Sequence, residues 1–380
     1  MADTLYFSRD TQVFIKIGTT IWSIPVLDGF SFSQATNTSE ITLNEMADGS
    51  ANSRRGRRMF NDSYAPAEWS FSTYMRPFAS AGSNTTGNAS KNGTADIHAV
   101  EEALWALMVG AATHTAVSAS QAANFTGFTY DATDLDITFA NSNKSTLGTA
   151  DFFFVMGGAT TGTKTTYKIT GCVVNEATIE FDIDGIATIN WSGFGNLITE
   201  HDAGPPTATV TEGAGASDTS NFIRNRLTHL QITTSDGTAG SNTHPGEYAL
   251  VLTGGNVTVS NNITFLTPET LGVVNQPIGH VTGTRSVSGN FTCYLNAEDD
   301  SSAELFENLI EDTESITNDF ELKFFVGGES STPRVELDMQ QCHLEIPSHS
   351  IDDIISLETN FHALPSTIEG TDELTIKYVA

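Results

Sequence analysis

Apolar and polar residues alternate with a period of two along much of this chain. The alternation is clear at residues 30–33, 40–44 and 69–74, and each stretch is predicted to be a strand with one buried face. A turn is expected between the first two. A long polar loop, residues 45–68, precedes the third and contains Arg54-Arg-Gly-Arg-Arg58. Loops of this length usually carry function.

Other segments follow the same two-residue pattern, and two follow a helical one. A hairpin is expected across Gly18, and the Asp184-Gly185 pair predicts a second hairpin turn. Further strands are predicted at residues 134–139, 151–156, 167–174, 177–183 and 187–192. Helices are predicted at residues 96–109, capped by Thr94 or Asp96 and ended by Gly110, and at 302–310, opened by the capping box Ser301-Ser-Ala-Glu304.

The second half of the chain repeats the order of features in the first. The matched positions are Phe30 and Val257, Phe71 and Phe291, Trp105 and Phe306, Leu135 and Phe320, Cys172 and Cys342, and Trp191 and Phe361. A tract rich in Gly, Ala, Pro and Thr, residues 200–219, is the predicted linker between a domain at 1–199 and a domain at 220–380. The predicted fold is therefore mainly β, with two tandem β-sandwich or part-barrel domains, each with one flanking α-helix.

Charge narrows the classes of partner. The 380 residues include 17 Lys/Arg and 46 Asp/Glu, a net charge of −29, with the greater excess of acid in the second half. Such a charge argues against general nucleic-acid binding, which requires phosphate neutralisation. It is compatible with a surface that repels nucleic acid, and equally with a saline environment.

No motif indicates catalysis, a metal or a cofactor. The three cysteines Cys172, Cys293 and Cys342 lack C-x-x-C spacing and are expected to be buried thiols. The nine histidines are scattered, and Asp299-Asp300 lacks the ligand spacing of an EF-hand. The start of the sequence carries no signal-peptide pattern and no apolar run is long enough to span a membrane, so a protein made in the cytosol is expected. We predict no enzyme activity and no cofactor.

Two features suggest interaction surfaces. Arg54, Arg55, Arg57 and Arg58 could contact an acidic copy of the same protein, bind nucleic acid or simply be solvated. Glu180, Asp182 and Asp184 alternate with apolar residues, so they are expected on the face of a sheet opposite the core. Glu336 and Asp338 alternate in the same manner in the second half. Such a face is either an ordinary solvated surface or a surface that prevents DNA from adhering.

The order of these elements resembles that of the tail tube proteins, or major tail proteins, of long-tailed bacteriophages. The resemblance depends on the N-terminal hairpin leading into residues 24–33, the long loop, the single flanking helix and the strands ending at Trp191-Ser-Gly193. It covers nearly the whole chain when both copies are counted, although the family has no invariant motif.

The resemblance implies an architecture and a set of partners. Units of this family join their inner sheets into a ring, normally of six units, and the rings stack into a tube through which the genome passes. Relatives with two units per chain form trimeric, pseudo-sixfold rings, and the apparent duplication favours that arrangement over a hexamer. The long loop, with its four arginines, would reach the next ring. Glu180, Asp182 and Asp184 would line the channel, with viral DNA passing unbound.

The implied location is the virion tail, after assembly in the host cytoplasm. Tape-measure, tail terminator and baseplate proteins are the implied partners, with no membrane involved.

Two other classes of protein remain possible from the sequence. A carbohydrate-binding or adhesive β-sandwich would expose aromatic residues such as Trp22, Trp69 and Tyr64, and a depolymerase would need paired carboxylates in a cleft.

Overall fold

The computed structural model describes residues 6, 8–27, 29–41, 57–79, 96–114, 124–139, 147–157, 164–210, 221–234, 247–298, 300–311, 320–351 and 353–380. The strands up to the predicted linker are β1 Gln12–Ile17, β2 Thr20–Ile24, β3 Ser31–Ile41, β4 Arg58–Tyr74, β5 Pro77–Ala79, β6 Ile97–Ala99, β7 Phe128–Tyr130, β8 Asp134–Thr138, β9 Ala150–Gly157, β10 Lys164–Asp182, β11 Thr188–Gly195 and β12 Ile198–Glu200. Those after it are β13 His229–Thr234, β14 Tyr248–Ala249, β15 Leu252–Ser260, β16 Thr264–Leu266, β17 Gly279–Val281, β18 Ser286–Tyr294, β19 Phe320–Val326, β20 Arg334–Leu344, β21 Ser348–Ile351, β22 Ile355–Ala363 and β23 Thr375–Val379. The helices are α1 Glu102–Met108 and α2 Ser302–Glu311. The mainly β class is confirmed.

Strands of the two halves pair in the same order. In the first half the antiparallel ladders run β3–β4–β11–β10–β9–β1–β2. In the second they run β15–β18–β22–β20–β19–β13–β14. The positions of β3, β4, β11, β10, β9, β1 and β2 in the first series are therefore taken by β15, β18, β22, β20, β19, β13 and β14 in the second.

The registers of these ladders also agree. Cys172 faces Ala150 after a bulge that begins at Ile169, and Cys342 faces Phe320 beside a bulge in the second half. Each thiol donates to the carbonyl three residues earlier, Cys172 to Ile169 at 3.5 Å and Cys342 to Met339 at 3.8 Å. The bulges let β10 and β20 turn from one sheet into another, as at the corners of orthogonally packed sheets.

Two ladders join the halves. β10 pairs with β15 from Glu176–Ser260 to Asp182–Gly254, and β8 pairs with β23 from Asp134–Val379 to Thr138–Thr375. The connected strands curl into a barrel-like body around one continuous apolar core that includes Trp105 and Trp191. Across this core the Nε1 of Trp105 donates to the hydroxyl of Tyr378 at 2.7 Å, and that hydroxyl donates to Glu101 at 2.6 Å.

Several predicted boundaries are wrong. The turn predicted between residues 33 and 40 is absent, since β3 is continuous from Ser31 to Ile41, and β4 begins at Arg58 inside the predicted loop. Residues 42–44 of the predicted second strand lie outside the described residues. The intervening Gln34-Ala-Thr-Asn-Thr-Ser39 has neither Gly nor Pro, and two register shifts accommodate its irregularities within the ladder. β10 likewise merges two predicted strands through a bulge.

The first helix is shorter than predicted. Ile97–Ala99 pairs as a strand with Pro77–Ala79, so α1 starts only at Glu102 and has no side-chain cap. Gly110 has φ 76° and follows the helix as predicted. The second helix is confirmed. Its predicted capping box differs in detail, because Glu304 accepts from the amide of Asp300 at 2.7 Å.

Candidate channel face and assembly surfaces

Eight strands form a continuous sheet across both halves, which we call the tube sheet. Its order is β3–β4–β11–β10–β15–β18–β22–β21. One face packs on the core through side chains such as Phe71, Ile179, Trp191, Val257 and Phe291, which are all buried. Alternation places the opposite face toward solvent.

Short polar side chains cover that solvent face and bond to one another across the strands. The cross-strand pairs are Ser31–Ser70 at 2.8 Å, Ser72–Asn190 at 2.6 Å, Thr178–Thr258 at 3.1 Å, Asn256–Asn290 at 2.9 Å and Asn290–Glu358 at 3.0 Å. Such pairs stabilise adjacent strands. Because these side chains are short and bond to one another, they project little from the sheet, and the polar face is nearly flat.

The charges on this sheet have one sign. Its paired segments, residues 31–34, 67–74, 173–182, 188–195, 254–260, 286–294, 348–351 and 355–363, contain no Lys or Arg. Glu180 and Asp182 are exposed near the end of β10, where the sequence predicted them. Asp184 lies just beyond the strand in the turn and pairs with Arg226 at 3.3 Å. Its contribution to the face is therefore weaker than that of the other two.

Basic residues instead lie outside the tube sheet, on the first part of β10 and on β19 and β23, next to acids. Lys168 contacts Asp151 at 2.7 Å, and Lys377 contacts Asp136 at 3.4 Å. Lys323 reaches both Glu336 and Asp338, within 3.6 Å. Glu336 and Asp338 alternate with the buried Val335, Leu337 and Met339 as predicted, but they do not lie on the tube sheet. They lie in the first part of β20, which pairs with β19 and β23.

The outer parts of β3 and β4 form a two-stranded arm beyond the sheet. Its ladder runs from Thr36–Tyr64 to Ile41–Arg58. Arg57 contacts Glu40 of the facing strand at 3.4 Å, with 72% of its side chain exposed, and Arg58 is also exposed. Arg54 and Arg55 lie outside the described residues.

The arm also carries apolar side chains in solvent. Met59 and Phe60 are 55% and 58% exposed, and Ile41 lies beside them on the facing strand. A segment of the second half runs along the arm, because the amide of Tyr64 donates to the carbonyl of Asn275 at 2.9 Å. That segment exposes Leu271, Val273 and Ile278. Exposed apolar groups gathered in one region are typical of a protein-binding surface.

The carbohydrate-binding alternative finds little support in the aromatic residues proposed for it. Trp22 and Trp69 are both 2% exposed and pack in the core, and Tyr64 is only half-buried against the segment just described.

The three cysteine thiols, Cys172, Cys293 and Cys342, are buried as predicted. Burial raises the pKa of Cys293 to about 11 and of Cys342 to about 12, and raises that of Cys172 as well. No helix in the described ranges is both long and apolar enough to cross a membrane.

Similarity to known proteins identifies the class. Residues 67–363 match the phage tail tube protein family, and the chain therefore belongs to that family. It is 31% identical to Tail tube protein pb6 of Escherichia phage T5 over 384 aligned positions, which cover 97% of this chain and 75% of that protein. The family resemblance is confirmed: the chain is a structural component of a phage tail, self-assembles into the tube and is not an enzyme.

Proposed function

We propose that three copies of this chain form one ring of the tail tube, and that rings stack into a tube with an acidic channel for genome passage. Each copy supplies two equivalent units, within residues 1–199 and 220–380, joined by the linker 200–219. The observation that carries this proposal is the shared order and register of the ladders in the two halves. Three such pairs give a pseudo-sixfold ring.

The tube sheet is the surface that we assign to the channel. Its solvent face combines neutral Ser, Thr and Asn side chains with scattered carboxylates such as Glu180 and Asp182, and the paired segments that form it contain no Lys or Arg. Phosphates gain no ion pairs on such a face, and the carboxylates repel them. DNA would therefore slide through without stopping at a site.

The arm is the surface that we assign to contacts between rings. It extends past the sheet, and it exposes Arg57, Arg58, Met59 and Phe60 together. Arginine can form forked bonds with carboxylates of the next ring, and the apolar side chains would be buried there. Because β15 and β18 lack a matching arginine cluster, the two halves of a chain would contact the next ring differently.

Electron microscopy of the purified protein tests the proposal. We expect rings with three strong and three weaker features, and tubes at higher protein concentration. Monomers that bind immobilised glycans would instead favour the carbohydrate-binding module.

Contacts of the tube ends with a tape-measure protein and with terminator and baseplate proteins are part of the same proposal. Mixing purified tubes with those proteins tests them.

A further inference from the structure

The ladder between β10 and β15 joins two units within one chain. It runs antiparallel, with Thr178 facing Thr258 and Ile179 facing Val257. The Thr178 and Thr258 hydroxyls are 3.1 Å apart on the polar face. This ladder, which we call the β10–β15 seam, therefore shows how one unit can attach to the next through backbone pairing.

The strands that correspond to β10 and β15 lie at the two ends of the tube sheet. Val174 faces Gly193 and Thr178 faces Asn190 in the first half; Leu344 faces Phe361 and Ser348 faces Glu358 in the second. The spacing along both strands is identical, so β21 corresponds to the final part of β10. Pro347 separates β21 from β20 because proline has no amide hydrogen to continue the ladder.

The same comparison assigns β3 to the position of β15. Ser33 faces Glu68 as Thr258 faces Ser288, and Phe32 faces Trp69 as Val257 faces Gly289. Among the described residues β3 has a ladder only with β4, and β21 only with β22. Each end of the tube sheet therefore keeps one edge without a ladder, which in an isolated sheet invites pairing with another chain.

We infer that β21 of one copy pairs antiparallel with β3 of the next, in the register of the β10–β15 seam. This inference rests on the proposed ring and specifies its joint. Ser348 then faces Ser33 of the neighbouring copy, as Thr178 faces Thr258, and His349 faces Phe32, as Ile179 faces Val257. The joint between copies and the joint within a copy are thereby the same structure.

The side chains at the two edges fit this register. Ser348 and Ser33 are both small hydroxyl residues, so they can repeat the bond between Thr178 and Thr258 on the polar face. On the other face Phe32 packs on Phe154, with ring centroids 4.8 Å apart, and His349 lies edge-on to Phe306 at 4.6 Å. The imidazole and phenyl rings would meet directly across the joint.

Disulfide cross-linking measures the register. In the full-length chain we would make Ser33→Cys with Ser348→Cys, assemble rings, oxidise mildly and separate the products without reductant. Facing residues in an antiparallel ladder have Cα atoms about 4.5–5.5 Å apart, within the reach of a disulfide. We expect covalent dimers and trimers that reductant reverses, and none from either single variant. The wild type should stay monomeric on the gel because its thiols are buried.

Two matched serine variants serve as controls. Ser70 faces Ser31 on the polar face and lies one strand further from the joint and two residues out of register, so Ser70→Cys with Ser348→Cys places the two Cα atoms roughly 12 Å apart. Ser31→Cys with Ser348→Cys tests a shift of two residues. Both should cross-link at least tenfold more slowly than the matched pair.

The possible results of these experiments distinguish a failure of this inference from a failure of the proposed function. Rings whose Ser33–Ser348 pair cross-links no faster than the Ser70 or Ser31 pair would overturn the register and leave the ring intact as a proposal. Preparations of folded protein in which microscopy finds neither rings nor tubes would overturn the proposed function, and the joint with it.

Discussion

Trp69 lies directly opposite Gly193 across the β4–β11 ladder, and its indole fills the space that a side chain at Gly193 would occupy. The second half has the same arrangement with the partners exchanged. There Phe361 of β22 lies opposite Gly289 of β18, with its ring over the glycine. In each half one aromatic ring covers one glycine, but the glycine is on the other strand.

Alanine at either glycine should destabilise the protein. A Cβ at Gly193 would lie 2.5 Å from the Trp69 ring, and one at Gly289 would lie 2.8 Å from the Phe361 ring, with a carbonyl oxygen at 2.0 Å in both cases. We expect Gly193→Ala and Gly289→Ala each to lower the free energy of unfolding by about 1–3 kcal/mol. Gly279→Ala in β17 is the control, since nothing lies within 4 Å of its Cβ. Equal urea midpoints for all three would contradict the packing described.

The exchange explains why matching sequence patterns between the two halves gave the wrong register. Matching aromatic residues pairs Trp191 with Phe361, whereas the ladders give Phe361 the position of Gly193. Likewise Leu135 in β8 matched Phe320 by pattern, although β9 holds the position of β19 and β8 pairs with β23. Alternation reveals that a strand has a buried face, but it does not identify the neighbouring strand.

Glu101 should make stability depend on pH. It is fully buried, and burial raises the pKa of its carboxyl from 4.5 to about 7, although the Tyr378 hydroxyl and Arg76 oppose the rise. Between these values the folded protein binds a proton that the unfolded chain releases, so this group's contribution to stability falls as pH rises from about 4.5 to 7 and then levels off. Over this pH range the Glu101 carboxyl lowers the free energy of unfolding by about 3 kcal/mol.

Urea unfolding at several pH values, comparing wild type with Glu101→Gln, isolates this contribution. The neutral amide can still accept from Tyr378 but cannot titrate. The variant should therefore equal the wild type near pH 4.5 and exceed its stability at pH 8. Parallel pH profiles for the two proteins would show that the carboxyl is not responsible.

Reversing charge on the tube sheet should turn the channel into a DNA-binding surface. Glu180→Lys with Asp182→Lys adds cations to a face that has none, so assembled tubes should retain short duplex DNA at low salt and release it as salt rises. Glu329→Lys with Glu369→Lys changes the same charge at exposed positions outside the sheet. Fluorescent DNA co-sedimenting equally with both variants would argue against a channel position for Glu180 and Asp182.

Removing the arginines of the arm should weaken stacking and leave rings intact. We expect a variant with Arg54, Arg55, Arg57 and Arg58 replaced by Ser to form folded rings but short tubes, since each ring loses its forked contacts to carboxylates. The control replaces four other exposed cations, Arg9, Lys164, Arg224 and Arg226. Tube lengths in micrographs at physiological salt decide the matter, and tubes of normal length from the first variant would remove the role given to the arm.

Interaction surfaces were less predictable than the fold. The sequence indicated correctly that Glu180 and Asp182 face away from the core, because strand alternation is local. It did not reveal that β3 and β4 continue into the arm, because only the pairing of two polar strands makes them regular there. It also could not separate the tube sheet from the flanking strands, where Lys323 lies within 3.6 Å of both Glu336 and Asp338.

The pairing of β8 with β23 has a consequence for synthesis on the ribosome. Thr138 and Thr375 are neighbours in space, so the first half lacks an edge of its sheet until the chain beyond residue 375 has been translated. Contacts between such distant parts of a chain form late in folding. A nascent copy therefore exposes the unpaired edge of β8 until β23 has been synthesised.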